Sequence, residues 1–168
     1  SLLEKVGNLL EYKKIRREAI QLLMRLDPQK SVRNKKEVEK IMNYPLIRNE
    51  KNGMSAAAVM EGYFTRLQFR NIMEDYAGTL KAVGQLLNFI ESNYSKLDFA
   101  EYHYAVALGD MASSQMALGK YKEAFLTIQK YRPNTIKSLT TRDYVFIVSY
   151  IFETNYCLIT GDFKRGII

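Results

Sequence analysis

Along the chain, apolar residues recur every three or four positions, the period of a helix packed on one side. Leu3, Val6, Leu10, Ile15, Ala19, Leu22, Leu23 and Leu26 mark a long first helix. The pattern leaves room for a break near Tyr12, and Asp27-Pro28 stops the run, since proline lacks the donor a helix interior needs. Asn34-Lys35-Lys36-Glu37 has capping-box spacing and predicts a short helix through Val38, Ile41 and Met42, ended by Asn43-Tyr44-Pro45. Asn52-Gly53 predicts a turn in the loop that follows. Helices are then expected over 54–73 and 75–92, the second with Tyr76, Leu80, Val83, Leu87 and Ile90 on one stripe. Asp98-Phe99-Ala100-Glu101 predicts a capped helix reaching Leu118, followed by a shorter one over 121–131 and a break at Pro133-Asn134. Thr140-Thr141-Arg142-Asp143 is expected to cap a last helix over 141–160.

One stretch resists the pattern. Tyr144 to Phe152 is rich in β-branched and aromatic residues, which strand propensity favours. The apolar run continues through Tyr156, Leu158 and Ile159 without a turn residue, and no partner strand is evident, so a helix apolar on most of its circumference is expected.

The chain also repeats itself. Gly119-Lys120-Tyr121-Lys122-Glu123-Ala124 recurs as Gly161-Asp162-Phe163-Lys164-Arg165-Gly166, and in degraded form as Glu74-Asp75-Tyr76-Ala77-Gly78-Thr79. Each copy has an aromatic two residues after the turn position and a small residue five after it; further on, Val83 matches Ile128 and Leu86 matches Tyr131. A glycine ending one helix supplies the left-handed conformation for a tight turn, the aromatic plugs the base of the hairpin, and the small residue lets the second helix approach the first. Such hairpins cannot bury their own apolar face and must stack on a neighbour.

Over Gly119 to Ala124 the sequence resembles a tetratricopeptide (TPR) repeat, whose helix-to-helix turn reads Gly-x-Tyr-x-x-Ala. The likeness is good over 99–133, fair over 141–168 and poor over 60–92. It departs at the family's early tryptophan position, occupied here by Leu108 and Tyr150, and at the tyrosine four before the glycine, here Gln115 and Cys157. The whole chain is similar to the TPR-like helical-hairpin proteins of unassigned function found in many bacteria. This resemblance implies an all-α fold, a TPR-like αα-hairpin superhelical stack with hairpins at 1–44, 54–92, 98–132 and an incomplete 140–168, and a protein-binding scaffold with no activity of its own. The family's geometry places the first helices along a concave groove for a peptide or partner helix, with Arg66, Arg70, Tyr104, Gln115 and Glu153 as candidate groove residues.

Composition narrows the picture without adding chemistry. With 47% hydrophobic residues, 3 prolines and 9 glycines, the chain fits one helical domain with a sizeable core. It is read here as a piece of a longer chain and as cytoplasmic, with no apolar run near the roughly 20 residues that span a bilayer. One cysteine and one histidine exclude an internal disulfide and a Cys/His metal cluster. No nucleotide-binding, zinc-protease or serine-hydrolase motif is present. Cys157 and His103 would act as nucleophile and base only if adjacent helices brought them together; both are expected to be structural, and no cofactor and no enzymatic activity is expected. Met54, Met60, Met73, Met111 and Met116 have helical spacing and are expected to be mainly core.

The net charge of +7 is uneven, with +6 carried by residues 1–51. The excess clusters at Lys13, Lys14, Arg16, Arg17 and Arg25, then Lys30, Arg33, Lys35 and Lys36. A solvated helix face is the plainer expectation, with Lys13, Lys14, Arg16 and Arg17 exposed because Ile15 and Ala19 face inward. The alternative is a regulatory domain of a nucleic-acid-binding protein, with the basic segment 13–36 touching phosphate. The expected partner is therefore another protein or peptide, with nucleic acid second and no membrane. Self-association through the apolar helix 141–160 is also expected, since one neighbour cannot cover all its faces.

Overall fold

The computed structural model describes residues 1–25, 31–130 and 139–162, and among these every regular element is helical. Asp27-Pro28, Lys30, Tyr131, Pro133-Asn134, Phe163 and Gly166 lie outside the described residues, as do Leu26 and the side chains of Leu23, Arg25, Arg33 and Lys35. The chain divides into two compact units, Ser1–Asp75 with Ser92–Asp98, and Tyr76–Glu91 with Phe99–Ile168.

The first unit holds α1 (Leu2–Arg25), α2 (Ser31–Met42), a one-turn α3 (Pro45–Arg48), a 3-10 turn (Glu50–Asn52) and α4 (Ala56–Ile72). α1 is unbroken at Tyr12. Its inner face differs from the expected one. Leu3, Val6 and Leu10 are exposed, while Tyr12, Ile15, Ala19 and Leu22 are buried with Val38, Ile41, Ile47, Ala58 and Phe69. The physical reason lies on α4. Gly62 leaves a gap there, and a β-carbon at that position would stand 3.0 Å from the Tyr12 ring. The Tyr12 hydroxyl then donates to the Leu46 carbonyl at 2.7 Å, tying α1 to α3. Leu2, Leu3, Val6 and Leu10 form a second stripe that the described residues of this unit leave exposed.

One local expectation is corrected here and two are refined. α2 starts at Ser31, so Asn34 lies within the helix and not at its start. Pro45, expected only to stop α2, occupies the first position of α3, where its fixed φ and missing N–H suit a helix start. Asn52-Gly53 closes a 3-10 turn with Gly53 at φ −75°, in ordinary extended backbone.

The second unit contains α5 (Tyr76–Ser92, all but its last residue), α6 (Ala100–Ala117), α7 (Tyr121–Gln129) and α8 (Leu139–Thr160). The stretch Tyr144–Phe152 is helical, within α8. α7 packs on α6, and α8 packs on both. Ala124 and Ile128 are buried as the repeat requires, whereas Tyr121 is only half-buried. Two expected caps are absent. Phe99, at φ +55°, precedes α6 without a side-chain cap, and α8 begins at Leu139, so Thr140 lies within it.

The turns repeat bond for bond. At the end of α6, Gly119 N–H donates to Met116 at 3.0 Å and Lys120 N–H to Gln115 at 2.8 Å, with Gly119 at φ +72°. At the end of α4, Glu74 N–H donates to Asn71 at 3.1 Å and Asp75 N–H to Arg70 at 3.0 Å, with Glu74 at φ +55°. Gly161 after α8 has φ +71°. This closure satisfies carbonyls that a helix end otherwise leaves bare. Glu74 performs it with a β-carbon in the way.

Two predictions follow from these contacts. Tyr12→Phe keeps the ring in the Gly62 gap but leaves the Leu46 carbonyl without its donor, and should lower stability by about 1–2 kcal/mol in urea unfolding with helix content unchanged. Glu74→Gly relieves a left-handed strain of roughly 1–2 kcal/mol, offset in part by a freer unfolded chain, and should raise stability by roughly 0.5–1 kcal/mol. A lowered midpoint for the glycine variant would separate this turn from the other two.

Candidate protein-binding face

The expected groove residues are all engaged inside their own units. On α4, Arg66 donates to the Ile47 carbonyl and to Glu50, both at 2.9 Å, and lies over the Tyr63 ring. Tyr63 donates to the same Glu50 carboxylate at 2.7 Å; burial, then that hydrogen bond, pushes its hydroxyl up to about 12. Arg70 pairs with Asp75 at 2.7 Å across the left-handed turn. In the second unit Tyr104 donates to Glu91 of α5 at 2.9 Å. Gln115 accepts from Thr127, and Glu153 accepts from Gln129, so both reach toward α7. Arg66, Tyr104, Gln115 and Glu153 link one element to another, Arg70 braces a turn, and no hydrogen bond or ion pair links any two of the five.

The basic cluster is thinner than its sequence. Lys13, Lys14, Arg17 and Lys36 are exposed. Arg16, expected to be exposed, is instead half-buried. It bonds the buried Glu61 at 2.5 Å and sits over the Phe64 ring, so part of the expected patch is spent on joining α1 to α4. Lys14 also shares an open depression of about 260 Å³ with Glu11, Glu18, Tyr44 and Leu46, which sets two carboxylates beside the cation.

What sequence reasoning missed is on α6 and α8. Tyr102 and Tyr144 occupy equivalent places in successive repeats, 42 residues apart, and their rings meet with centroids 5.3 Å apart. α6 and α8 therefore lie side by side within the second unit. Two turns past Tyr102 on α6, Asp110 is partly buried, and removal from water alone raises its carboxyl from 3.8 to about 6. Among the described residues no cation pairs with it. Its charge reaches Tyr144, whose hydroxyl is pushed up by burial first, then by Tyr102 and Asp110. A repeat alignment would have found the tyrosine pair; nothing in the sequence distinguishes Asp110 from an exposed aspartate.

The remaining candidates are placed as follows. Cys157 is buried and free. His103 stands against Tyr102 edge-on. Its equivalent on α8 is Val145, three turns and roughly 18 Å along the axis from Cys157, so the side-by-side helices do not bring thiol and imidazole together. Met60 is buried, Met111 and Met116 are half-buried, and Met54 and Met73 are exposed, so the methionines form neither one core nor one face. Among the described residues no cluster of His, Cys, Asp and Glu is placed to hold a metal ion, and no helix is long and apolar enough to cross a membrane. No family model, curated protein or solved structure matches this chain.

Asp110 makes stability depend on pH in a direction opposite to the usual carboxylate. Its folded pKa is raised, so between about pH 4 and pH 6 the unfolded chain has released the proton that the folded chain still holds, and stability falls as pH rises through that window. Asp110→Asn should therefore raise the thermal midpoint at pH 7.5, by about 2–4 °C, and leave it unchanged at pH 3.5. Parallel midpoints for the two proteins at every pH would show the carboxyl to be fully solvated.

Proposed function

We propose that the chain is a TPR-like helical-repeat module that binds a segment of another protein on the face shared by α6 and α8, with Asp110 receiving a lysine or arginine of that segment. The observation that carries this reading is the contact of Tyr102 with Tyr144, equivalent residues of successive first helices. Side-by-side first helices are the arrangement from which helical-repeat proteins build an extended binding surface. On this surface Asp110 is a carboxylate partly withdrawn from water and, among the described residues, without a counter-ion, and its charge reaches the Tyr144 phenol, whose ring offers a π face to a cation. A partner cation would gain a charge-assisted hydrogen bond that water screens weakly. Arg66, Arg70, Tyr104, Gln115 and Glu153 serve in this proposal as positioning residues for the helices.

The exposure of Lys13, Lys14, Arg17 and Lys36 favours a second reading, a regulatory domain whose basic segment touches nucleic acid. One pair of titrations separates the two. Probed with labelled peptides graded from basic to acidic, the chain should prefer lysine- and arginine-containing segments, and Asp110→Asn should weaken them about tenfold, near the 1.4 kcal/mol of one charge-assisted bond. Preference for acidic peptides, or an unchanged affinity in the variant, removes the first reading. Tight nucleic-acid binding that falls steeply with salt and is lost on neutralising Lys13, Lys14 and Arg17 would establish the second.

A further inference from the structure

Aligning Gly119 with Gly161 sets α6 and α8 in register, and their burial then differs on one face. Ala105, Leu108, Gly109 and Ala112 of α6 are buried; their equivalents on α8, Ile147, Tyr150, Ile151 and Thr154, are exposed. With Phe146 and Leu158, these positions make an uncovered stripe extending roughly 18 Å along α8, its large apolar side chains 52–64% exposed. Size separates the two faces as well as exposure. The buried α6 positions are mostly alanine and glycine, which admit a close neighbouring helix; the α8 positions carry isoleucine, tyrosine and threonine, which hold a neighbour at a greater distance.

We propose that this stripe is an interface on which a second copy of the chain packs, α8 against α8, antiparallel and about a two-fold axis near Ile151 and Thr154. Three observations select a second copy. The single charged residue between Asp143 and Asp162 is Glu153, which is turned toward Gln129, so stripe on stripe buries no unpaired charge. The exposed parts of the large side chains amount to roughly 600 Å² per copy, hence at most about 1,200 Å² for a pair from these residues alone, which reaches the lower bound of a specific interface. The bulk of the α8 positions suits two flat faces meeting between molecules better than the close approach within a hairpin. A two-fold contact of this kind is self-complementary and closed.

The test is the mass of the 168-residue chain by sedimentation between about 1 and 100 μM, the range in which an interface at the lower size limit is expected to assemble. The wild type should reach twice 19.5 kDa. The exposed double substitution Ile147→Glu, Ile151→Glu should raise the dissociation constant more than about 100-fold, with helical circular dichroism unchanged. Thr154→Cys should give an interchain disulfide under mild oxidation, whereas buried Cys157 of the wild type should not. A monomer throughout the range overturns the proposal, whether the Thr154→Cys thiol is open to labelling or protected by the chain's own residues after Asp162. A dimer that survives the double substitution overturns it equally. Peptide binding through Asp110 is measured separately and does not depend on either outcome.

Discussion

The constraint on which the architecture depends is the left-handed residue that ends a helix and turns the chain. At the end of α4 and of α6, the same two backbone bonds close the helix around such a residue, with φ of +55° and +72°. Glycine takes that conformation without penalty, whereas a residue with a β-carbon does so at some cost. Glu74 accepts the cost, and the chain supplies support nearby in the Arg70–Asp75 ion pair across the turn. Where glycine is present no such brace is needed: Gln115, at the place of Arg70, reaches α7 through Thr127 instead. The same turn geometry with and without glycine shows that the repeat is a property of backbone closure more than of the residue that makes it visible.

Most of the helical organisation was legible because the period of apolar residues is a local quantity. α2 and α4 to α8 appear within a few residues of where periodicity places them, and the β-rich stretch in α8 is helical because its pattern outlasts any strand. What was not legible is which of two periodic faces turns inward. On α1, Leu3, Val6 and Leu10 are as regular as the residues that are buried, and the choice is made by Gly62, fifty residues away from Tyr12, where a missing side chain leaves room for the ring. The caps failed for a related reason. Asn34-x-x-Glu37 and Asp98-x-x-Glu101 have the right spacing, but spacing does not say where the preceding residues stop being helical. α2 begins earlier at Ser31, and Phe99 turns left-handed before α6.

The same limit applies to the candidate site. Exposed polar residues at helical spacing were natural groove candidates, yet Arg66, Gln115 and Glu153 are drawn toward neighbouring helices by carbonyl and side-chain partners remote in sequence. Arg16 is drawn from a basic cluster to Glu61 in the same way. Polar side chains that have partners within the fold stiffen it; those free for another molecule are the ones the fold leaves unmatched. Asp110 has no cation partner among the described residues, and its effect on Tyr144 of α8 becomes visible only once the two helices are side by side.

Two kinds of unmatched surface therefore coexist in the second unit, and they differ in what would complete them. Around Asp110 the deficit is electrostatic, a carboxylate that burial has made costly to ionise, and a cation removes that cost while recovering part of the lost hydration as a direct bond. On the outer face of α8 the deficit is one of area, with isoleucine, tyrosine, phenylalanine and leucine facing water without a charged residue among them. An ion does nothing for such a face; another apolar face does. Because the repeat aligns that face with positions that are buried on α6, its exposure is not the ordinary scatter of surface leucines but a packing position left open. The bulk that replaced alanine and glycine there determines the distance at which it can be filled.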